Sequence, residues 1–238
     1  EVVEKYLETV ADWVQKGHAV LVLDPRGQGL SDRLTTKRNR SFVHTFDQHV
    51  SDLVHVVQEF QSRLPQPHIA MGHSMGGTVV LQCVAKQLWT PAAVVCTSPM
   101  LSLLDLQSPW LRGLLCTGAS IGLAKKKLPN SKRRLSTEFD GNRITRDPVR
   151  HARWTELQQN EALFSRYLTF GWIRAALRGI RTCRKGLQQQ LRVPTLLIAA
   201  GDDRIVDTRQ TVELCRKATM VECKVVPGGV SECQGHLV

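Results

Sequence analysis

No stretch of the 238 residues reaches the roughly 18 consecutive apolar positions that a membrane-crossing helix requires, so the sequence contains no helical membrane span. The first residues, Glu1-Val2-Val3-Glu4, show no secretory leader and start in mid-pattern. Seven cysteines (83, 96, 116, 183, 215, 223 and 233) form no Cys-x-x-Cys and no metal-like pairing with histidine. Scattered through apolar contexts such as Val94-Val95-Cys96, they read as reduced, mostly buried thiols of a cytoplasmic protein. Aromatic residues are few, 5% of the chain, and no nucleic-acid-binding module is recognisable, so nucleic acid is not an expected partner.

Acidic residues are also in short supply, 21 against 32 Lys and Arg, for a net charge of +11. The shortage is local. Residues 101–193 hold 18 Lys and Arg against 6 Asp and Glu, while the rest of the chain holds 14 against 15. A basic excess confined to one segment fits attraction to an anionic surface, and it fits a merely soluble basic face equally well. Hydrophobic content of 42% is ordinary for a globular protein, and the length suits one large domain or one domain with an insert.

Read in order, Val3, Leu7, Val10 and Val14 recur at helical spacing over residues 2–16, and Gly17 follows as a C-terminal cap would. Ala19 to Asp24 is a short apolar run, the pattern of a strand buried on both faces of a parallel sheet. The turn-forming sequence Asp24-Pro25-Arg26-Gly27-Gln28-Gly29 comes next. Val50, Leu53, Val54, Val57, Phe60 and Leu64 predict a second helix stopped by Pro65. Further buried strands are predicted over 92–97 and 195–200, followed by a helix over 208–218 and a strand over 220–226. Strands separated by helices imply a parallel sheet with its site at the carboxyl ends of the strands.

Within that series, Gly72-His73-Ser74-Met75-Gly76 follows the apolar Ile69-Ala70-Met71 and precedes the helix-like Val79 to Ala85. This is the context of a nucleophile elbow, in which a strand turns at once into a helix and the serine takes a strained backbone conformation. Small residues at Gly72 and Gly76 are expected to make room for that turn. The Met75 N–H, at the positive end of the helix, is the natural first donor to an oxyanion.

These stretches resemble the α/β-hydrolase superfamily, and more narrowly the bacterial lysophospholipase L2 and monoacylglycerol lipase group. The likeness rests on residues 24–32, the elbow, Ser98-Pro99-Met100-Leu101, Asn142-Arg143-Ile144-Thr145-Arg146-Asp147-Pro148, Thr169-Phe170-Gly171-Trp172 and Gly201-Asp202-Asp203-Arg204-Ile205-Val206-Asp207. It implies an α/β fold, a mostly parallel sheet with flanking helices and a helical lid insertion. The core would then span residues 1–100 and 194–238, with a basic helical lid over 101–193.

The resemblance implies Ser74 as nucleophile and Asp203 as the acid that orients a histidine, with Asp202, Asp207 and Asp105 as the other carboxylates in reach of the role. The family places the histidine in a Pro-Gly-x-x-His-Glu pattern. Here Pro227 to Glu232 puts Ser231 at that place, so His236, the only histidine beyond Asp203, is the candidate base. His73 is expected to point away from Ser74, and His151 belongs to the lid. The family's earlier His-Gly segment, source of a second oxyanion donor, does not precede Glu1 in this sequence. Two readings stay open: a serine hydrolase of lysophospholipid or monoacylglycerol esters, and a truncated, weak or inactive homologue acting as a lipid-binding module. Neither a metal nor an organic cofactor is implied. The expected partners are a small lipid ester and, through the basic lid, an anionic membrane surface such as that of the inner membrane.

Overall fold

The computed structural model describes residues 2–132, 138–160 and 162–230. In chain order its helices of eight or more residues and its strands are α1 (Leu7–Gln15), β1 (Arg40–Ser41), α2 (Phe46–Phe60), β2 (Ile69–His73), α3 (Met75–Ala85), β3 (Ala93–Thr97), α4 (Pro109–Gly118), β4 (Lys127–Lys132), α5 (Pro148–Gln159), β5 (Tyr167–Thr169), α6 (Phe170–Gln189), β6 (Thr195–Ala200), α7 (Thr208–Arg216) and β7 (Val221–Val226). The chain divides into two compact units. One comprises Glu1–Gln66, Gly113–Asp140 and Pro148–Ala175, the other Pro67–Arg112, Gly141–Asp147 and Ala176–Val238. The basic segment 101–193 contributes to both.

The second unit carries a four-stranded, all-parallel sheet in the order β2-β3-β6-β7. Parallel neighbours need long crossovers, and the helices between these strands supply them. β3 lies inside the sheet and alternates in burial, whereas Leu197 to Ala200 of β6 are all buried, as a strand covered on both faces should be. α3 has almost no polar face: Met75 and every residue from Gly77 to Ala85 are buried. A helix apolar all round belongs in an interior. Where α6 passes α3, a Cβ on Gly186 would lie 2.6 Å from the Ala85 Cβ, so only glycine permits the approach.

The first unit builds its core from Phe42, Val43, Phe46, Val50, Trp154, Phe164 and Trp172. Trp154 meets Phe164 edge-on at 4.9 Å, and the Lys5 ammonium sits 4.6 Å from the Trp154 ring centroid. A small sheet in the order β1-β5-β4 mixes a parallel and an antiparallel pairing. The helical reading of the later part of 101–193 missed β4 and β5, because Lys-rich and three-residue strands carry little alternation for periodicity to detect.

The expected strand over 19–24 is not formed. Val20 to Leu23 are only half-buried, and among the described residues they have no ladder partner. An apolar run becomes a strand only beside another backbone that accepts its hydrogen bonds. The turn that follows is held instead by side chains. The Asp24 carboxylate accepts from the Val3 N–H at 2.8 Å and the Leu30 N–H at 2.9 Å, while Arg26 forks onto Asp52 at 2.5 and 2.6 Å.

Candidate active site

Ser74 stands between β2 and α3 with φ +49° and ψ −115°, a conformation that side-chain-bearing residues rarely adopt. Its surroundings hold it there. The Ser74 N–H donates to the Thr97 carbonyl at 3.0 Å, and its own carbonyl accepts from Thr78 N–H at 3.3 Å and Met100 N–H at 3.0 Å. The tight places are not quite those expected. A Cβ on Gly72 would come within 2.7 Å of the Gly77 backbone, and one on Gly77 within 2.9 Å of the Pro99 Cβ, but one on Gly76 would meet nothing within 4 Å. The glycines that close the elbow are therefore Gly72 and Gly77, because those two backbones and Pro99 stack directly on one another. Met75 opens α3 and is buried, with the positive end of the helix dipole at Ser74. His73 Nδ1 is paired with Thr97 Oγ1 at 2.8 Å, which ties its ring to β3.

The four carboxylates that the sequence left open have different surroundings. Asp203 follows β6, and its Oδ1 accepts from the Ile205 N–H at 2.8 Å and the Val206 N–H at 2.9 Å. Its Oδ2 is buried and has no hydrogen-bond partner among the described residues. Asp202 is exposed and paired with Arg146 at 2.5 Å. Asp207 caps α7: its carboxylate accepts from the Arg209 and Gln210 N–H groups and from the side-chain amides of Gln107 and Gln210. Burial pushes its carboxyl up, but the bonds from Gln210 and Gln107 outweigh that and hold it below the ordinary carboxylate range. Asp105 is exposed and 3.3 Å from Arg143. Of the four, Asp203 alone keeps a buried oxygen without a donor.

Ser74 and Asp203 follow β2 and β6, which flank β3 in one parallel sheet, so both sit at its carboxyl edge. His236 and Ser231 lie outside the described residues. His151 is buried in the first unit, edge-on to Phe139 at 5.5 Å. Among the described residues there is no group of three or more His, Cys, Asp or Glu able to hold a metal, and no helix long and apolar enough to cross a membrane.

Sequence reasoning assigned no role to the turn Ser98-Pro99-Met100, yet it touches the elbow at three points. Pro99 meets Gly77, Met100 N–H reaches the Ser74 carbonyl, and Thr78 Oγ1 donates to the Met100 carbonyl at 2.7 Å. The available signals were a serine–proline pair just after a buried strand and the place of Ser98-Pro99-Met100-Leu101 among the stretches that carry the resemblance.

A serine at a strained strand–helix turn, on a parallel sheet with an acid after a later strand, defines an α/β-hydrolase. Within that class the chain belongs to the Hydrolase_4 family, described as serine aminopeptidase, S33, whose model matches residues 1–232. It is 26% identical over 213 residues to the phospholipase YtpA of Bacillus subtilis, covering 88% of this chain and 74% of that protein. To lysophospholipase L2 of Escherichia coli K12 it is 25% identical over 228 residues, 90% of this chain and 64% of the relative, so the chain spans a little under two thirds of that protein's length. The crystal structure of a monoacylglycerol lipase from Paleococcus ferrophilus superposes with a TM-score of 0.76 at 16% identity, covering 98% of this chain and 82% of the other.

Proposed function

We propose that this carboxylic-ester hydrolase cleaves lysophospholipids or monoacylglycerols through an acyl-enzyme on Ser74. The observation that carries the reading is the strained Ser74, clamped by Thr97, Thr78 and Met100, on the sheet edge that also bears the half-satisfied Asp203 carboxylate. The Ser74 Oγ attacks the ester carbonyl, and its proton passes to an imidazole, for which His236 is the candidate. The Met75 N–H supports the oxyanion. Collapse of the tetrahedral species breaks the ester C–O bond, and the imidazolium returns the proton to the leaving alcohol. Water then splits the Ser74 ester by the same route, releasing the fatty acid. Asp203 holds the imidazole tautomer through its free Oδ2.

The names of the bacterial relatives, a phospholipase and a lysophospholipase, support a lipid substrate. So does the surface of the basic segment. Leu114 is 59% and Ile121 70% exposed, and Lys125, Lys126 and Lys127 follow on the surface. Apolar side chains beside lysines suit a lipid interface with anionic head groups.

A fluorophosphonate probe should label the wild-type chain and leave Ser74→Ala unlabelled. Turnover should be seen with a monoacylglycerol or a lysophospholipid and not with an aminoacyl amide. Co-sedimentation with vesicles containing phosphatidylglycerol should exceed that with neutral vesicles and fade with salt. Vesicle binding without labelling or turnover would favour the lipid-binding module, the reading that Ser231 at the family's histidine position motivates.

A further inference from the structure

The stretch from Asn142 to Asp147 has no part in the chemistry described so far. It folds on itself. Asn142 Oδ1 accepts from the Ile144 and Thr145 N–H groups, both at 3.0 Å, and Thr145 Oγ1 accepts from the Asp147 N–H at 3.2 Å. Asn and Thr oxygens bound in this way close a local turn without a sheet or helix. Thr145 is 5% exposed, so the turn is also anchored and its two arginines leave from a fixed backbone.

Both arginines reach loops at the carboxyl edge of the four-stranded sheet. Arg143 meets Asp105, after β3, at 3.3 Å. Arg146 meets Asp202, after β6, at 2.5 Å across a sequence separation of 56. Arg146 Nη1 also lies 3.3 Å from the point that a Cβ on Gly228 would occupy, so the guanidinium covers the turn after β7 as well. At that junction the Gly201 N–H donates to the Val226 carbonyl at 2.9 Å and the Asp202 N–H to the Gly229 carbonyl at 2.8 Å. Asp203 is the next residue. Its Oδ1 is bound to N–H groups of its own loop, those of Ile205 and Val206, so the carboxylate goes where the loop goes. A shift of about 1 Å at a reacting centre can cost on the order of 10²-fold in rate, so a contact that fixes this loop bears on catalysis.

We infer that Arg146 is a positioning residue of the Ser74 centre: by pairing with Asp202 over the Gly228 turn, it holds the loop that presents the Asp203 carboxylate. The inference rests on the Ser74 and Asp203 reading and adds to it an anchor from outside the β6 loop. The Arg146 and Asp202 side chains are 61% and 54% exposed, so the pair is of the kind worth a few-fold rather than orders of magnitude.

A double-mutant cycle with a short-chain nitrophenyl ester, run well below the melting temperature, tests it. Arg146→Gln and Asp202→Asn should each lower kcat about fivefold with KM unchanged, and the double variant should lose no more than either alone. Arg146→Lys still brings a cation to Asp202 and should recover most of the rate. An unchanged kcat in Arg146→Gln overturns the inference, as do losses that multiply in the double variant or a lysine variant no better than the glutamine one. A raised KM with kcat intact overturns it too, since Arg146 would then be a substrate contact. Asp203→Asn keeps the two levels apart. If it abolishes turnover while Arg146→Gln changes nothing, this inference alone falls; if it is as active as wild type, the assignment of the acid falls with it.

Discussion

His49, on α2, offers a sharp test of how burial governs this fold. It is 4% exposed, and neither ring nitrogen has a hydrogen-bond partner among the described residues. Phe46 packs edge-on against it at 5.3 Å. Burial, the main cause, pushes its pKa from the ordinary 6.5 down to about 4; Asp52 opposes the fall and Arg26 adds to it. Because the folded value lies below the unfolded one, the unfolded chain binds the proton first as pH falls. The stability associated with the neutral ring is therefore complete above pH 6.5, drains between 6.5 and 4, and is gone below. A gap of about 2.5 pH units corresponds to roughly 3 kcal/mol. His49→Leu, close in volume, removes the titration and the buried N–H that lacks an acceptor, itself a burden of about 1–3 kcal/mol. Urea unfolding of both proteins from pH 7.5 to 4 should show the variant at least as stable at the upper end, and its advantage widening by about 3 kcal/mol toward the lower. Other titrating groups cancel in that difference. A difference curve flat across the range would refute the account of His49 as a ring kept neutral by burial.

Three further outcomes follow from particular contacts. Gly77→Ala would force a Cβ to within 2.9 Å of Pro99 and should lose about 1–3 kcal/mol in unfolding free energy and slow fluorophosphonate labelling, while Gly76→Ala, with open space around it, should fold with wild-type stability or better. Cys223 is half-buried on β7, and a bond from the Cys215 thiol pulls it down to about 7, whereas burial pushes Cys83 up to about 11 and Cys183 to about 12. Iodoacetamide at pH 7.5 should therefore modify Cys223 well before Cys83 and Cys183, as peptide mass mapping would show. Replacing Lys125, Lys126 and Lys127 by Gln should weaken binding to phosphatidylglycerol vesicles at low salt by about 1 kcal/mol per charge removed, without changing turnover of a soluble ester.

Much of the sheet was legible before any coordinates. Ile69 to Met71, Ala93 to Thr97 and Thr195 to Ala200 are apolar runs bounded by turn residues, Val221 to Val226 alternates apolar with charged side chains at first, and each became a strand of the parallel sheet. The run at 19–24 looked the same and did not, because a strand is a relation between two backbones rather than a property of one. The small sheet β1-β5-β4 escaped notice for the converse reason: its strands are set by pairing, with too few residues to show a period.

By itself the chain determined the class of the fold, the elbow around Ser74 and the short list of carboxylates, since all three are written in local order: glycine beside serine, apolar runs between helices, aspartates just after a strand. Only the tertiary structure decided which glycines close the elbow, which carboxylate keeps a free buried oxygen, and that the turn at Ser98 grips the serine's backbone. Those depend on what packs against each atom from distant parts of the chain, and neither spacing nor residue type encodes a neighbour that lies tens of residues away.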